Sequence, residues 1–186
     1  MRKLSRRSAV LIGVLATLVL STLSIIAVAF LRPPGPAGTL AGRAGCAAPA
    51  LGGTVVNVTA TDMGGPMMGG AGRVGPMRLT ADRASVAHGR VSFLVTNAGR
   101  YTHEMVILPL PGTQSAGTRP VGGDGKIDEA GSLGEASATC ADGAGQGILP
   151  RTVGWVSVDL APGRYELVCN FPGHYSAGMY TQITVS

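Results

Sequence analysis

Hydrophobic and polar positions follow two different patterns along this chain. From Ala9 to Leu31 the sequence carries no charged residue, and a helix rising about 1.5 Å per residue over that length would cross a hydrocarbon core of roughly 30 Å. Beyond Gly53, apolar and polar residues alternate in short runs, as in half-buried β-strands. The pattern predicts an N-terminal hydrophobic helix followed by an all-β domain.

The predicted strands are separated by turns rich in glycine and proline. They cover residues 54–63, 77–81, 90–99, 103–110, 154–160, 164–170 and 179–186. No 3.6-residue periodicity persists after the hydrophobic segment. We therefore expect a β-sandwich of about seven to eight strands over residues 54–186.

Two segments do not fit the strand pattern. Residues 32–53 are rich in Pro, Gly and Ala and are predicted to form a tether. Residues 111–152 form a long irregular insertion, with at most a short helical turn around 127–136. Loops of this length within a domain are usually functional or tied down by other contacts.

The excess positive charge belongs to the N-terminus. Four of the fifteen basic residues lie within the first seven positions, and the remainder of the chain is nearly neutral. A basic flank before an apolar run directs the downstream part of the chain to the outer side of the cytoplasmic membrane. Residues 1–31 are either an uncleaved signal anchor or a cleaved signal peptide with an Ala27-Val28-Ala29 cleavage site. No basic stripe is interleaved with aromatic residues, so nucleic acid is not an expected partner.

Three cysteines fit an oxidising compartment in which one of them stays unpaired. Cys46 precedes the first strand and Cys140 lies in the insertion, so these two could form a disulfide that ties the insertion down. A lipidated Cys46 is the less supported alternative, because the usual upstream leucine is missing. Cys169 would remain a free thiol.

Cys169 opens the motif that carries the chemistry. The sequence Cys169-Asn-Phe-Pro-Gly-His174-Tyr-Ser-Ala-Gly-Met179 lies between two predicted strands, so all three donor side chains project from one loop. Thiolate and thioether donors favour copper over hard cations, and a blue-copper site adds a second imidazole. His103, at the start of another strand, is the candidate; His88 lies in a turn and is expected to be solvated.

This loop resembles the C-terminal copper loop of rusticyanin- and sulfocyanin-like proteins of the cupredoxin (blue, type 1 copper) family. The segment VSFLVTNAGRYTHE resembles the strand, turn and histidine of the same family. The resemblance implies a Greek-key β-sandwich that binds one copper ion through His103, Cys169, His174 and Met179. It also implies that the backbone N–H groups of Glu104 and Phe171 donate to the Cys169 sulfur. Glu104 departs from the Asn or Ser that often ties the two ligand segments together at this position.

The small number of histidines limits the possible functions. With three in the whole chain, further histidine-built copper sites are not available, which argues against a multicopper oxidase or nitrite reductase. A site closed by four protein ligands leaves no position for a small-molecule substrate. We expect an exported electron carrier rather than an enzyme. It would cycle between Cu(I) and Cu(II) and exchange electrons with respiratory-chain proteins through the surface around His174. Phe171, Pro172, Tyr175 and Ala177 are expected to form an apolar patch on that surface. The protein would act at the outer face of the cytoplasmic membrane, or in the periplasm or outside the cell if the leader is cleaved.

Two alternatives to an electron carrier remain open at this point. Met63, Met67, Met68 and Met77 form a methionine-rich group that either fills the end of the sandwich or binds Cu(I) through thioethers. A second Cu(I) site would favour a copper-binding module for delivery or storage. A purely structural sandwich without metal is the third possibility.

Overall fold

The part of the chain that the structure describes contains nine β-strands. In the computed structural model, residues 46–62 and 77–186 are described, and they contain no helix. The strands are β1 (Thr54–Thr61), β2 (Arg78–Ala81), β3 (Ser85–Val86), β4 (Gly89–Asn97), β5 (Met105–Pro109), β6 (Gly134–Ala136), β7 (Val153–Leu160), β8 (Gly163–Val168) and β9 (Tyr180–Val185). The all-β prediction is confirmed.

The strands form two sheets, with the orders β2-β1-β4-β7 and β3-β9-β8-β5-β6. In the first sheet β1 runs parallel to β4, and β4 pairs antiparallel with β7. In the second, β8 pairs antiparallel with both β5 and β9. Strands β1, β4 and β8 therefore end, and β5, β7 and β9 begin, at one end of the sandwich, which we call the site end.

The core lies between the sheets, as the alternation of residues along β4 illustrates. Val91, Phe93 and Val95 are fully buried between the sheets, whereas Arg90 and Thr96 are exposed on the outer face. This period of two is the physical basis on which most of the strands could be predicted. Strands β3 and β6 were not predicted, because two or three residues are too few to show a period.

The outer face of the second sheet is covered by the insertion. Along β5, Met105 and Ile107 join the main core, while Val106 and Leu108 join a second apolar cluster with Ile127 of the insertion. A strand covered on both faces reads as a continuous apolar run rather than as an alternation. The insertion is thus an additional layer on this sheet, and it contains β6 where at most a helical turn was expected.

A buried ion pair fastens the first half of the insertion. Glu166 of β8 is fully buried, and its carboxylate accepts hydrogen bonds from Arg119 Nε at 2.6 Å and from Gly117 N at 2.6 Å. Arg119 also donates to the carbonyl oxygen of Pro109. Because each charge is paired and hydrogen-bonded, the burial cost of Glu166 is offset.

A disulfide fastens the second half. Cys46 and Cys140 are bonded, with Cα atoms 5.3 Å apart and a sequence separation of 94 residues, which confirms the predicted pairing. From Cys46 the chain crosses the outer face of the first sheet, where Ser92 Oγ donates to the Gly52 carbonyl at 2.6 Å. Ser92 points away from the core and is nevertheless fully buried, and its hydroxyl contacts the Gly52 backbone and the Ser157 hydroxyl.

Several predictions fall outside the described residues. These are the hydrophobic helix over residues 9–31, the start of the tether, and Met63, Met67 and Met68. Met77 is described and is buried in the core next to the first sheet. Within residues 46–62 and 77–186, no helix has the length and apolar character needed to span a membrane.

Candidate metal centre

The loop between β8 and β9 is folded back on itself by its own backbone. The N–H of Cys169 donates to the Met179 carbonyl at 3.0 Å, and the N–H of Met179 donates to the His174 carbonyl at 3.1 Å. Gly173 has a φ of 82°, a left-handed conformation that glycine adopts without steric cost. This turn returns the chain towards Cys169, so that Sγ of Cys169 lies 3.3 Å from Nδ1 of His174.

His103 reaches the same point from the turn between β4 and β5. Its backbone forms a bridge with Ile148 of the insertion, with N–O distances of 3.2 and 2.7 Å. Its side chain is fully buried, and its Nδ1 lies 3.9 Å from Sγ of Cys169. The two imidazole rings are 5.2 Å apart between centroids.

One donor atom from each of His103, Cys169 and His174 lies within 4.8 Å of the other two. This is the only such cluster of His, Cys, Asp or Glu side chains in the described part of the chain. His88 lies far from it, exposed and within 3.1 Å of the Ser186 carbonyl oxygen. The side chain of Met179 is fully buried at the end of the ligand loop.

The protonation states of these groups fit a soft cation. Burial raises the pKa of the Cys169 thiol to about 12, although the N–H groups of Glu104 and Phe171 oppose the shift. Burial also lowers the pKa of His103 and of His174, which leaves both imidazoles neutral and able to bind a metal. A cation that displaces the thiol proton would meet two imidazoles and one thiolate, the donor set of blue copper.

Glu104 joins the two ligand segments. One of its side-chain oxygens accepts a hydrogen bond from the N–H of Asn170 at 3.1 Å, while its own N–H points at Sγ of Cys169 at 3.4 Å. Burial raises the pKa of Glu104 to about 7, and the nearby Glu129 and Glu135 add to the shift. Glu104 therefore makes the connection that the resemblance assigns to Asn or Ser at this position.

Asn170 connects the ligand loop to the insertion. Its side-chain oxygen accepts from Ile127 N at 2.8 Å, and its side-chain nitrogen donates to the Ile127 carbonyl at 3.0 Å. Gly173 N donates to the Gly125 carbonyl at 2.9 Å beside it. The insertion thus supports the loop directly, a contact that no pattern in the sequence indicated.

The surface around His174 differs in one respect from the expected apolar patch. Phe171 is half-buried with its ring 5.7 Å from that of His174, and Pro172 and Ala177 are exposed. Tyr175, which was expected in the same patch, is buried instead, and its hydroxyl donates to Glu166 at 2.9 Å. A tyrosine with a buried carboxylate partner is held inside the protein by that hydrogen bond.

Asp62 is a site residue that sequence reasoning missed. It directly follows β1, and its Oδ2 lies 3.1 Å from Nε2 of His103, with both side chains buried. The same oxygen accepts from the N–H groups of Arg100 and Tyr101 at 2.7 and 2.6 Å. Burial opposes ionisation of Asp62, but these N–H donors and His103 outweigh it and hold the pKa of the carboxyl below its ordinary value.

Comparisons with known proteins identify the family. The sulfocyanin (SoxE) domain family matches residues 85–186, which is more than half of the chain. No curated protein matches it. Among solved structures, dithionite-reduced auracyanin from Roseiflexus castenholzii is 16% identical with a TM-score of 0.42, over 73% of this chain and 98% of that one. Reduced rusticyanin is 21% identical with a TM-score of 0.41, over 73% and 81%.

The matched range, residues 85–186, contains His103, Cys169, His174 and Met179. Cupredoxins bind copper and are generally electron carriers, and the buried His-Cys-His group suits that metal. The chain belongs to the sulfocyanin family of cupredoxins.

Proposed function

We propose that this protein carries single electrons on one type 1 copper ion held by His103, Cys169, His174 and Met179. The observation that carries the proposal is the convergence of Sγ of Cys169 with one ring nitrogen from each of His103 and His174, all within 4.8 Å of one another at the site end. When bound, copper supplies a one-electron Cu(I)/Cu(II) couple.

The protein's own residues would keep the geometry constant during the redox cycle. His103 and Cys169 lie beside adjacent strands of one sheet, β5 and β8, and both side chains are fully buried. The N–H of Glu104 reaches the cysteine sulfur, a contact that stabilises thiolate charge. A dry site of fixed geometry favours electron transfer over substrate chemistry.

We propose His174 as the point at which electrons enter and leave. It is the half-buried member of the group, whereas His103 and Cys169 have no exposed surface. Phe171, Pro172 and Ala177 surround it with a small apolar surface. Such surfaces suit the weak, transient interfaces of redox partners, which bury less than about 1,200 Å² in total. Respiratory-chain proteins are the proposed partners.

The proposed location is outside the cytoplasmic membrane. The Cys46–Cys140 disulfide supports an oxidising compartment, and the basic and apolar residues 1–31 support export. We propose that these residues act as an anchor or a cleaved signal, followed by a tether and the cupredoxin domain.

The copper site is tested by adding Cu(II) to the full chain and recording its visible spectrum and metal content. We expect an intense thiolate-to-copper band, one copper per chain, and loss of the band in Cys169→Ser and His103→Ala. His88→Ala is the matched control and should keep the band. A colourless wild-type protein would contradict the proposal, and two or more coppers released readily to a chelator would favour delivery or storage.

The docking surface is tested by Ala177→Asp. A carboxylate beside His174 should slow electron exchange with a redox partner about tenfold or more, since an unpaired charge at the centre of an interface must be desolvated. The copper band should be unchanged. Ala161→Asp places the same charge on the exposed turn after β7, at the opposite end of the sandwich. Equal exchange rates for the two variants would argue against the proposed surface.

A further inference from the structure

The Asp62–His103 contact is the one buried carboxylate–imidazole pair in the part of the chain that the structure describes. Asp62 lies 41 residues before His103 in sequence, at the end of β1. The parallel pairing of β1 with β4 brings Asp62 beside the turn that carries His103. The side chains are 1% and 0% exposed, so water does not compete for the contact.

All hydrogen bonds to this carboxylate converge on one oxygen. Oδ2 receives the N–H groups of Arg100 and Tyr101 and faces Nε2 of His103, while Oδ1 has no partner among the described residues. The two backbone N–H groups require Oδ2 to be an acceptor, so Nε2 of His103 must be a donor to it. The single proton of the neutral His103 ring therefore lies on Nε2. The lone pair of Nδ1 is then directed towards Cys169.

The surrounding backbone is shaped to allow this contact. A Cβ at Gly99 would collide with Oδ2 of Asp62 and with Nε2 of His103. Asn97 holds the same turn from the other side, because its side chain accepts from Gly99 N at 2.9 Å and donates to the Tyr101 carbonyl at 2.7 Å. The turn is therefore built around the carboxylate rather than merely close to it.

We propose that Asp62 is a positioning residue for the metal centre: it fixes the Nε2–H tautomer and the ring orientation of His103, and its buried negative charge favours the oxidised over the reduced metal. The inference rests on the proposed copper site. Carboxylate partners of metal-binding histidines act in this way in general, and here the partner comes from a strand that contributes no donor atom to the metal.

The first test uses the metal-free full chain with ¹⁵N-labelled histidine. We expect the ring-nitrogen shifts of His103 to show the Nε2–H tautomer with a slowly exchanging proton. Asp62→Ala should lose that proton signal. A wild-type His103 in the Nδ1–H tautomer would overturn the proposal, and this measurement does not depend on whether any Asp62 variant folds.

The second test measures the reduction potential of the copper-loaded protein. In Asp62→Asn the amide oxygen can still accept the same hydrogen bonds, but the charge is gone. We expect about a tenfold loss of preference for Cu(II) over Cu(I), which for a one-electron couple is a rise of about 59 mV. Asp82→Asn removes the same charge from an exposed carboxylate that accepts from Asn57, and it should leave the potential unchanged.

The outcomes distinguish the positioning role of Asp62 from the proposed copper site. Equal potentials in Asp62→Asn and Asp82→Asn, with the His103 tautomer unchanged in Asp62→Ala, would overturn the positioning role while leaving the copper site in place. A wild-type chain that binds no copper would overturn the proposed function, whereas the tautomer measured in the metal-free chain would still decide the role of Asp62.

Discussion

Glu104 shows how a single substitution can preserve a connection while changing its chemistry. A carboxylate stands here at a position where Asn or Ser is common in the family. In the structure, its oxygen accepts from Asn170 N and so joins the segments of His103 and Cys169. The connection depends on a hydrogen-bond acceptor at this position, and a carboxylate supplies one as well as an amide does.

The role of Glu104 predicts a difference between two variants. Glu104→Gln retains an acceptor oxygen and should keep copper affinity within a few-fold of the wild-type value. Glu104→Ala leaves Asn170 N without its partner and should weaken copper binding by about 10- to 100-fold, the usual effect of losing a contact behind a ligand. Competition titrations against a chelator measure both, and equal affinities would contradict the role.

At the scale of the elements, the insertion packs against the second sheet and supports the ligand loop. Its apolar residue Ile127 covers β5, and its backbone pairs with the side chain of Asn170. Its charged residue Arg119 neutralises Glu166 beneath the loop. A segment that reads as irregular in sequence is thus held at several separate points.

Breaking the buried pair should destabilise the whole domain. Arg119→Ala leaves the fully buried Glu166 without its counter-charge and should cost about 3–5 kcal/mol in the free energy of unfolding. The matched control is Arg90→Ala, because Arg90 pairs with Asp159 on the surface with both side chains largely exposed. That change should cost at most about 1 kcal/mol. Denaturant unfolding measures both, and similar losses would contradict the assigned role of Glu166.

The elements also show how far sequence reasoning reaches. The long strands were predictable because β1, β4 and β7 alternate visibly, and the loop from Cys169 to Met179 was predictable because its spacing is local. Asp62 and Asn170 were not, because each acts on a partner about forty residues away that only strand pairing or the fold of the insertion brings near. Tyr175 was placed wrongly for a different reason: its partner Glu166 is only nine residues away, but nothing in the sequence shows that the loop turns the hydroxyl inward to that buried carboxylate.

At the scale of the whole molecule, the Cys46–Cys140 disulfide closes a long covalent loop. It joins residues 94 apart and fastens the start of the segment whose Gly52 carbonyl accepts from Ser92 of the first sheet. Restricting an unfolded chain of that length should stabilise the fold by about 2–5 kcal/mol. The double variant Cys46→Ala/Cys140→Ala should therefore unfold at lower denaturant concentration, while its copper band stays, because neither cysteine belongs to the donor group.

Reduction of the wild-type protein supplies the comparison for this variant. A mild reductant that opens the disulfide should lower stability by a similar amount, while the double variant should show no response to it. If the double variant were as stable as the oxidised wild-type protein, residues 46–53 would be held by their contacts with the sheet alone.

The burial of β5 on both faces has a kinetic consequence. The strand that follows His103 lies between two apolar layers and pairs directly with β8, which leads to Cys169. These two donors can separate only when the sheet itself opens, whereas His174 is carried by a loop fastened through Asn170 and Gly173. The rate at which a bound ion is released should therefore depend on how often the loop that carries His174 detaches from the insertion. His103 and Cys169 stay fixed by the sheet during that motion.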